Sequence, residues 1–156
     1  MRTTKLLTPL IALAATAGWM CLGAPSAQAA PVDPAPYLQT GAYYFTTPSG
    51  GWKCAISTKD GYAGCKGRLP ADAPSVSGGG VASIHPNNAM VRRGSRATLG
   101  FTSDTSLSAP SPARVLGYGQ VLSVGGYTCS VDAATGVSCD AGQHGFTVST
   151  TGYRLR

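Results

Sequence analysis

Apolar and polar side chains alternate in two closely similar seven-residue phrases, GGWKCAI at 50–56 and GGYTCSV at 125–131. In an extended strand every second side chain points to the same face. The first phrase therefore puts Trp52, Cys54 and Ile56 on one side and Lys53 and Ala55 on the other. The second puts Tyr127, Cys129 and Val131 opposite Thr128 and Ser130. Turn-forming residues follow each phrase, at Ser57–Gly61 and Asp132–Gly136, and the chain returns through a second cysteine, Cys65 or Cys139. The pattern predicts two hairpins, each presenting an aromatic, a cysteine and a β-branched side chain to a core.

Shorter strand patterns lie at Gly41–Thr46, Val81–Ile84, Ala89–Val91, Arg96–Thr102, Val115–Leu122, Phe146–Ser149 and Tyr153–Leu155. Prolines, glycines and asparagines interrupt the chain between Arg68 and Ser95, and a Ser/Pro-rich loop follows Thr102. Beyond the first thirty residues, no window holds ten or more residues of helical apolar spacing. The expected fold is all-β, a small disulfide-stapled sandwich or barrel with two Cys hairpins, forming one domain over 43–156. A mobile Pro/Ala-rich leader is expected over 30–42.

The amino-terminal segment has a different character. Met1–Lys5 is basic, Leu6–Ala24 is apolar, and Ala27-Gln28-Ala29 supplies the small residues of a cleavage site. This is the pattern of a signal peptide over 1–29, cut after Ala29. Thr8, Pro9 and the A-x-A site argue against an uncleaved anchor, and Met20 before Cys21 departs from the lipoprotein pattern. Cleavage leaves 127 residues, enough for one core, and removes Arg2 and Lys5, so the net charge falls from +6 to +4. The acids are six aspartates, with no glutamate. So modest a positive balance suits an anionic envelope lipid or glycan as partner and is no nucleic-acid signature.

Cleavage also removes the odd cysteine, Cys21, and leaves Cys54, Cys65, Cys129 and Cys139. An even count in an exported chain points to disulfides. Of the three possible pairings, the hairpins select Cys54–Cys65 and Cys129–Cys139. Their spacings are too wide for a zinc knuckle, and His85 and His144 are the only histidines, so no metal or cofactor is expected. His144 sits where a strand begins, with a ring nitrogen available to a backbone group, and His85 lies in an irregular loop, exposed to solvent.

The densest cationic cluster is Arg92, Arg93 and Arg96, a candidate contact for phosphate or carboxylate oxygens. Lys53, with Lys59, Lys66 and Arg68 near the first hairpin, is a candidate extension of it. Catalytic signals are sparse. No G-x-S-x-G turn is present, and Asp132 and Asp140, the conceivable carboxylate pair, are also ordinary turn residues.

Several short motifs keep a recognisable order: Phe45-Thr46-Thr47-Pro48-Ser49-Gly50, Ser103-Asp104-Thr105, Leu116-Gly117-Tyr118-Gly119, Gly126-Tyr127-Thr128-Cys129, Gly136-Val137-Ser138-Cys139 and His144 through Ser149. Across most of 43–154 the chain resembles a family of small secreted actinobacterial proteins of unknown function. That resemblance implies export from a mycobacterium-like or related cell and brings no activity or catalytic residue with it. Members often carry a further cysteine pair in the middle, absent here, which implies a looser central region. The functional expectation is a secreted, non-enzymatic envelope or extracellular binding module. The alternatives are a small secreted hydrolase and a protease-inhibitor-like protein using the Leu107–Pro112 loop.

Overall fold

A computed structural model describes residues 29–78 and 80–156; the signal segment assigned to 1–29 lies, Ala29 aside, outside the described residues. The strands are β1 (Ala30–Pro31), β2 (Leu38–Gln39), β3 (Ala42–Thr46), β4 (Trp52–Ser57), β5 (Tyr62–Gly67), β6 (Val76–Gly78), β7 (Val81–Ile84) and β8 (Asn88–Arg92). They continue with β9 (Ser95–Gly100), β10 (Arg114–Val115), β11 (Gln120–Val124), β12 (Tyr127–Asp132), β13 (Gly136–Ala141), β14 (His144–Val148) and β15 (Tyr153–Leu155). One 3-10 turn, Ala35–Tyr37, is the helical element among the described residues. The fold is all-β, as the alternation predicts.

Two sheets face each other. One runs β10-β3-β4-β5-β8-β9, with β2 also on β3, and the other runs β1-β11-β12-β13-β14-β15. The two phrases become β4 and β12, and both disulfides, Cys54–Cys65 and Cys129–Cys139, are local to their hairpins. Cys65 Sγ lies 4.0 Å from Cys139 Sγ, so the staples stack against each other between the sheets. Around them pack Phe45, Trp52, Ile56, Val91, Leu116, Leu122, Tyr127, Val131, Val137, Phe146 and Val148 in one core. On one flank the Ala97 amide donates to the Arg156 carbonyl at 3.0 Å, joining the two sheets.

The duplication extends past the phrases. Cross-strand pairing runs Phe45–Cys54–Cys65–Ala89–Leu99 in one sheet. In the other it runs Leu122–Cys129–Cys139–Phe146–Leu155. Each half is thus a five-stranded meander with its cysteines on the second and third strands. Each half also lends a strand to the other: β1, ahead of the first meander, pairs in parallel with β11, and β10, ahead of the second, pairs in parallel with β3.

Two local expectations change. The segment expected to be a mobile leader is tied down: the Val32 amide donates to Val121 O at 2.9 Å, β2 pairs with β3, and Tyr37 is buried. Regular backbone pairing offsets the ordering cost that its Pro/Ala composition suggests. The predicted strand Val115–Leu122 is broken, because a turn in which Gln120 N bonds Gly117 O, and Gly117 N bonds Gln120 Oε1, sends its two ends to different sheets.

The Ser/Pro segment 101–113 crosses the outer face of the first sheet as a strap. Leu107 is wholly buried with Ala55 and Tyr62, against Tyr44 and Met90. Lys66 Nζ donates to Asp104 O at 3.1 Å, the Tyr62 hydroxyl to Ser106 O at 3.4 Å, and Ser111 Oγ to Gln39 Oε1 at 2.8 Å. In the loop considered as an inhibitor-like segment, Leu107 is buried, whereas Pro110, Ser111 and Pro112 are exposed.

Candidate functional site

The strands of the two sheets end in turns, and one end of the sandwich carries Arg92 and Arg93. It is built from the β4–β5, β8–β9, β11–β12 and β13–β14 turns. Thr58 of the first touches Gly125 of the third, which brings the two halves together. Arg92, the last residue of β8, sets its guanidinium 5.6 Å from the Tyr62 ring centroid and donates to Asp60 O at 2.9 Å. Burial, followed by the nearby Tyr44 and acidic groups, raises the Tyr62 phenol above its ordinary value, so the ring stays neutral beneath that cation at physiological pH.

Arg93 occupies the turn itself. Its guanidinium lies 5.4 Å from the centroid of Tyr127, the aromatic of the second phrase. Gly126 makes this approach possible, since a Cβ there would lie 2.6 Å from Arg93 Nη2. The glycine also has φ +79°, the left-handed region that other residues rarely adopt. Tyr127 is buried, and its hydroxyl bonds no described residue, so the ring face is what it offers. Stacking of this kind contributes on the order of 0.5–1 kcal/mol at an exposed site and holds a side chain that otherwise has about 2 kcal/mol of rotamer entropy to lose.

Beside Arg93 opens a cleft of about 450 Å³, lined by Arg93, Gly94, Gly126, Ala141, Gly142, Gln143 and His144. Its polar side chains are a guanidinium, a carboxamide and an imidazole. No carboxylate lines it among the described residues. The donors suit an oxyanion: a guanidinium fork, an amide N–H and an imidazole N–H can share one phosphate or carboxylate.

The cationic residues singled out in the sequence do not all meet. Arg92 and Arg93 stand at this end, and Arg96 is exposed on β9 nearby in the chain. Lys53 does not join them. It pairs with Lys66, four residues along β5 from Tyr62, the partner of Arg92, or roughly 13 Å at strand rise. There it lines a separate cavity of about 360 Å³ under the strap. His144 at the cleft is the residue that sequence reasoning left out of the cluster. The link is tertiary, between the β8–β9 turn of one half and the β13–β14 turn of the other, and no local pattern carries it.

The catalytic candidates separate. His144 makes no hydrogen bond to an aspartate or serine among the described residues. His85 is exposed and pairs through Nε2 with Pro70 O at 3.0 Å. Asp132 stands beside Gly136 at one end of β13, and Asp140 four residues on, bonded to Arg156. Roughly 13 Å of strand separates them, more than the ~5–9.5 Å that glycoside hydrolysis uses. Among the described residues no three His, Cys, Asp or Glu side chains gather as for a metal ion, and no helix is long and apolar enough to cross a membrane. No family model matches the chain, and neither does any characterised protein or solved structure with which it was compared.

Proposed function

We propose that this protein is a secreted, non-enzymatic binding module that recognises oxyanion groups on envelope or extracellular polymers, with the Arg93 cleft as its centre. One observation carries the reading: Arg93 is held over Tyr127 and faces His144 and Gln143 across a cleft that no carboxylate lines among the described residues. A cation already ordered before binding loses little further freedom when an anion arrives. Arg92 and Arg96 supply additional positive charge around it. Two disulfides fit an oxidising, extracytoplasmic setting, which agrees with the signal pattern of the first 29 residues. The relation to small secreted actinobacterial proteins belongs to the same proposal and rests on the shared short motifs.

Phosphate of a lipid headgroup and carboxylate of a uronic glycan present the same chemistry, so the test uses both. Retention is measured on phosphatidylglycerol vesicles and on alginate beads, with phosphatidylcholine vesicles as the neutral control. The expected result is retention at low salt on one or both anionic surfaces, falling steeply as salt is raised. Replacing Arg92, Arg93 and Arg96 together by alanine abolishes it, Arg93→Ala alone causes the largest single loss, and Lys53→Ala leaves it within about twofold, since exposed distant charges are screened. No retention on either anionic surface at low salt would overturn the proposal, as would Lys53→Ala and Arg93→Ala having equal effects.

A further inference from the structure

The opposite end of the sandwich is the counterpart of the arginine end. Matching the two cysteine rows places the β3–β4 turn in the role of β11–β12, β12–β13 in that of β4–β5, and β14–β15 in that of β8–β9. Trp52 then corresponds to Tyr127, and both are buried. Where the first end carries guanidinium groups, this one carries hydroxyls and a carboxylate.

These turns enclose an open trough of about 340 Å³, walled by Tyr118 and Asp132 and rimmed by the exposed Thr150 and Thr151, with the buried Thr47 and Trp52 also in its lining. That volume is at the small end of ligand sites. Tyr118 is 52% exposed, one of the few large apolar side chains left in solvent. The turns around it are held in place: Thr47 Oγ1 accepts from the Trp52 amide at 3.3 Å and bonds Ser49 Oγ at 3.1 Å, and Ser149 Oγ accepts from the Gly152 amide at 3.0 Å.

Asp132 is organised in the same way. Its Oδ1 accepts from Ala134 N at 2.9 Å, Thr135 N at 2.8 Å and the Thr135 hydroxyl at 3.0 Å. These bonds, led by the Thr135 amide, hold the carboxyl below its ordinary range, so it is ionised throughout neutral and mildly acid pH. Oδ2 takes no hydrogen bond among the described residues and can accept from a ligand. Among the described residues no Lys, Arg or His lines the trough. An anionic ligand would meet the Asp132 charge uncompensated, whereas a neutral polyol gains a charge-assisted acceptor.

We infer that this trough binds one neutral pyranose unit of a polysaccharide, its C–H face on the Tyr118 ring and its hydroxyls on Asp132 and the threonine rim. The negative face of an aromatic ring attracts the polarised C–H groups of a sugar face, and a carboxylate accepts from ring hydroxyls. The inference does not depend on the oxyanion reading. It describes a second site of different chemistry at the other end of the molecule.

The test is an amide chemical-shift titration of the protein with neutral tetrasaccharides of glucose, mannose, galactose and N-acetylglucosamine, each to about 10 mM, a range that detects weak single-ring binding. At least one is expected to give saturable shifts confined to the turns around Tyr118, Asp132 and Thr150. Tyr118→Ala and Asp132→Asn each weaken it by about tenfold or more, as loss of a charge-assisted or aromatic contact does. Asparagine keeps the side-chain carbonyl that caps the turn, and the tyrosine is exposed, so spectra of both variants report binding in a folded protein. The Arg92, Arg93 and Arg96 alanine variant binds the sugar unchanged, which separates the two sites. No saturable shift with any of the four sugars overturns the inference, and so do shifts that map to the arginine end or survive both trough substitutions.

Discussion

Asp104 is fully exposed, yet its neighbours fix its charge. The Ser106 hydroxyl and amide, and after them the Thr102 hydroxyl, bring its carboxyl from the usual 3.8 down to about 2. Because the folded value is depressed, the stabilisation is complete above about pH 4 and is lost as pH falls through about 2. Asp104 lies near the start of the strap, so that segment is expected to hold its place in mild acid and to loosen between pH 4 and 2. An NMR titration of the Asp104 carboxyl and the Ser106 amide checks this, and a midpoint at 3.8 would refute it. At this scale the sequence was legible in one direction. Alternation put Lys53 and Ala55 on the same face, which is correct, but Ala55 is buried there because Leu107 covers it. Nothing within several residues of Ala55 signals a cover arriving from fifty positions away.

Among the elements, those whose partners are adjacent in sequence were the readable ones. Both cysteine hairpins, with their inward Trp52 and Tyr127, follow from period two and turn chemistry alone. β1, β2 and β10 did not show, because two-residue strands carry no periodicity and owe their existence to a neighbour's open edge. The strap is the same case. Its Ser/Pro composition reads as free loop, and one leucine decides otherwise. Gly64 accommodates that leucine, since a Cβ there would lie 3.0 Å from Leu107 Cδ2. Leu107→Ala is therefore expected to destabilise the fold by about 2–5 kcal/mol, the usual range for a fully buried leucine. Urea unfolding measures it. A change below about 1 kcal/mol would mean that the strap is not packed as described.

For the whole molecule, the repeated phrase announced a duplication, but its extent was hidden because only the cysteine strands kept their wording. The rest kept register while residues diverged: Ala89 answers Phe146, and Phe45 answers Leu122. The arginine cleft was illegible for the same reason, since Arg93 and His144 meet only once the halves are stacked. The stacked staples give this arrangement a chemical test. Cys54→Ser leaves a Cys65 thiol next to Cys139. Attack of the Cys65 thiolate on Cys139 Sγ forms Cys65–Cys139 and releases Cys129 as thiolate, with no added oxidant. Peptide mapping after incubation at mildly alkaline pH is expected to find that bridge and a free Cys129. Cys129–Cys139 persisting alone would argue against direct contact between the staples.

The reciprocal lending of β1 to β11 and of β10 to β3 also bears on ancestry. Two identical chains related by a two-fold axis, each passing its leading strand to the other, would give the same arrangement, and swapped homodimers of this kind form at low cost. A fused duplicate of such a dimer inherits two equivalent ends, each assembled from turns of both copies. In such a dimer of identical chains, any substitution would change both ends at once. A fusion of that kind would free the two ends to differ, as they do here: one carries guanidinium groups, the other a carboxylate and hydroxyls. On this view a single-half protein with one cysteine hairpin should exist as a dimer whose two ends bind the same ligand.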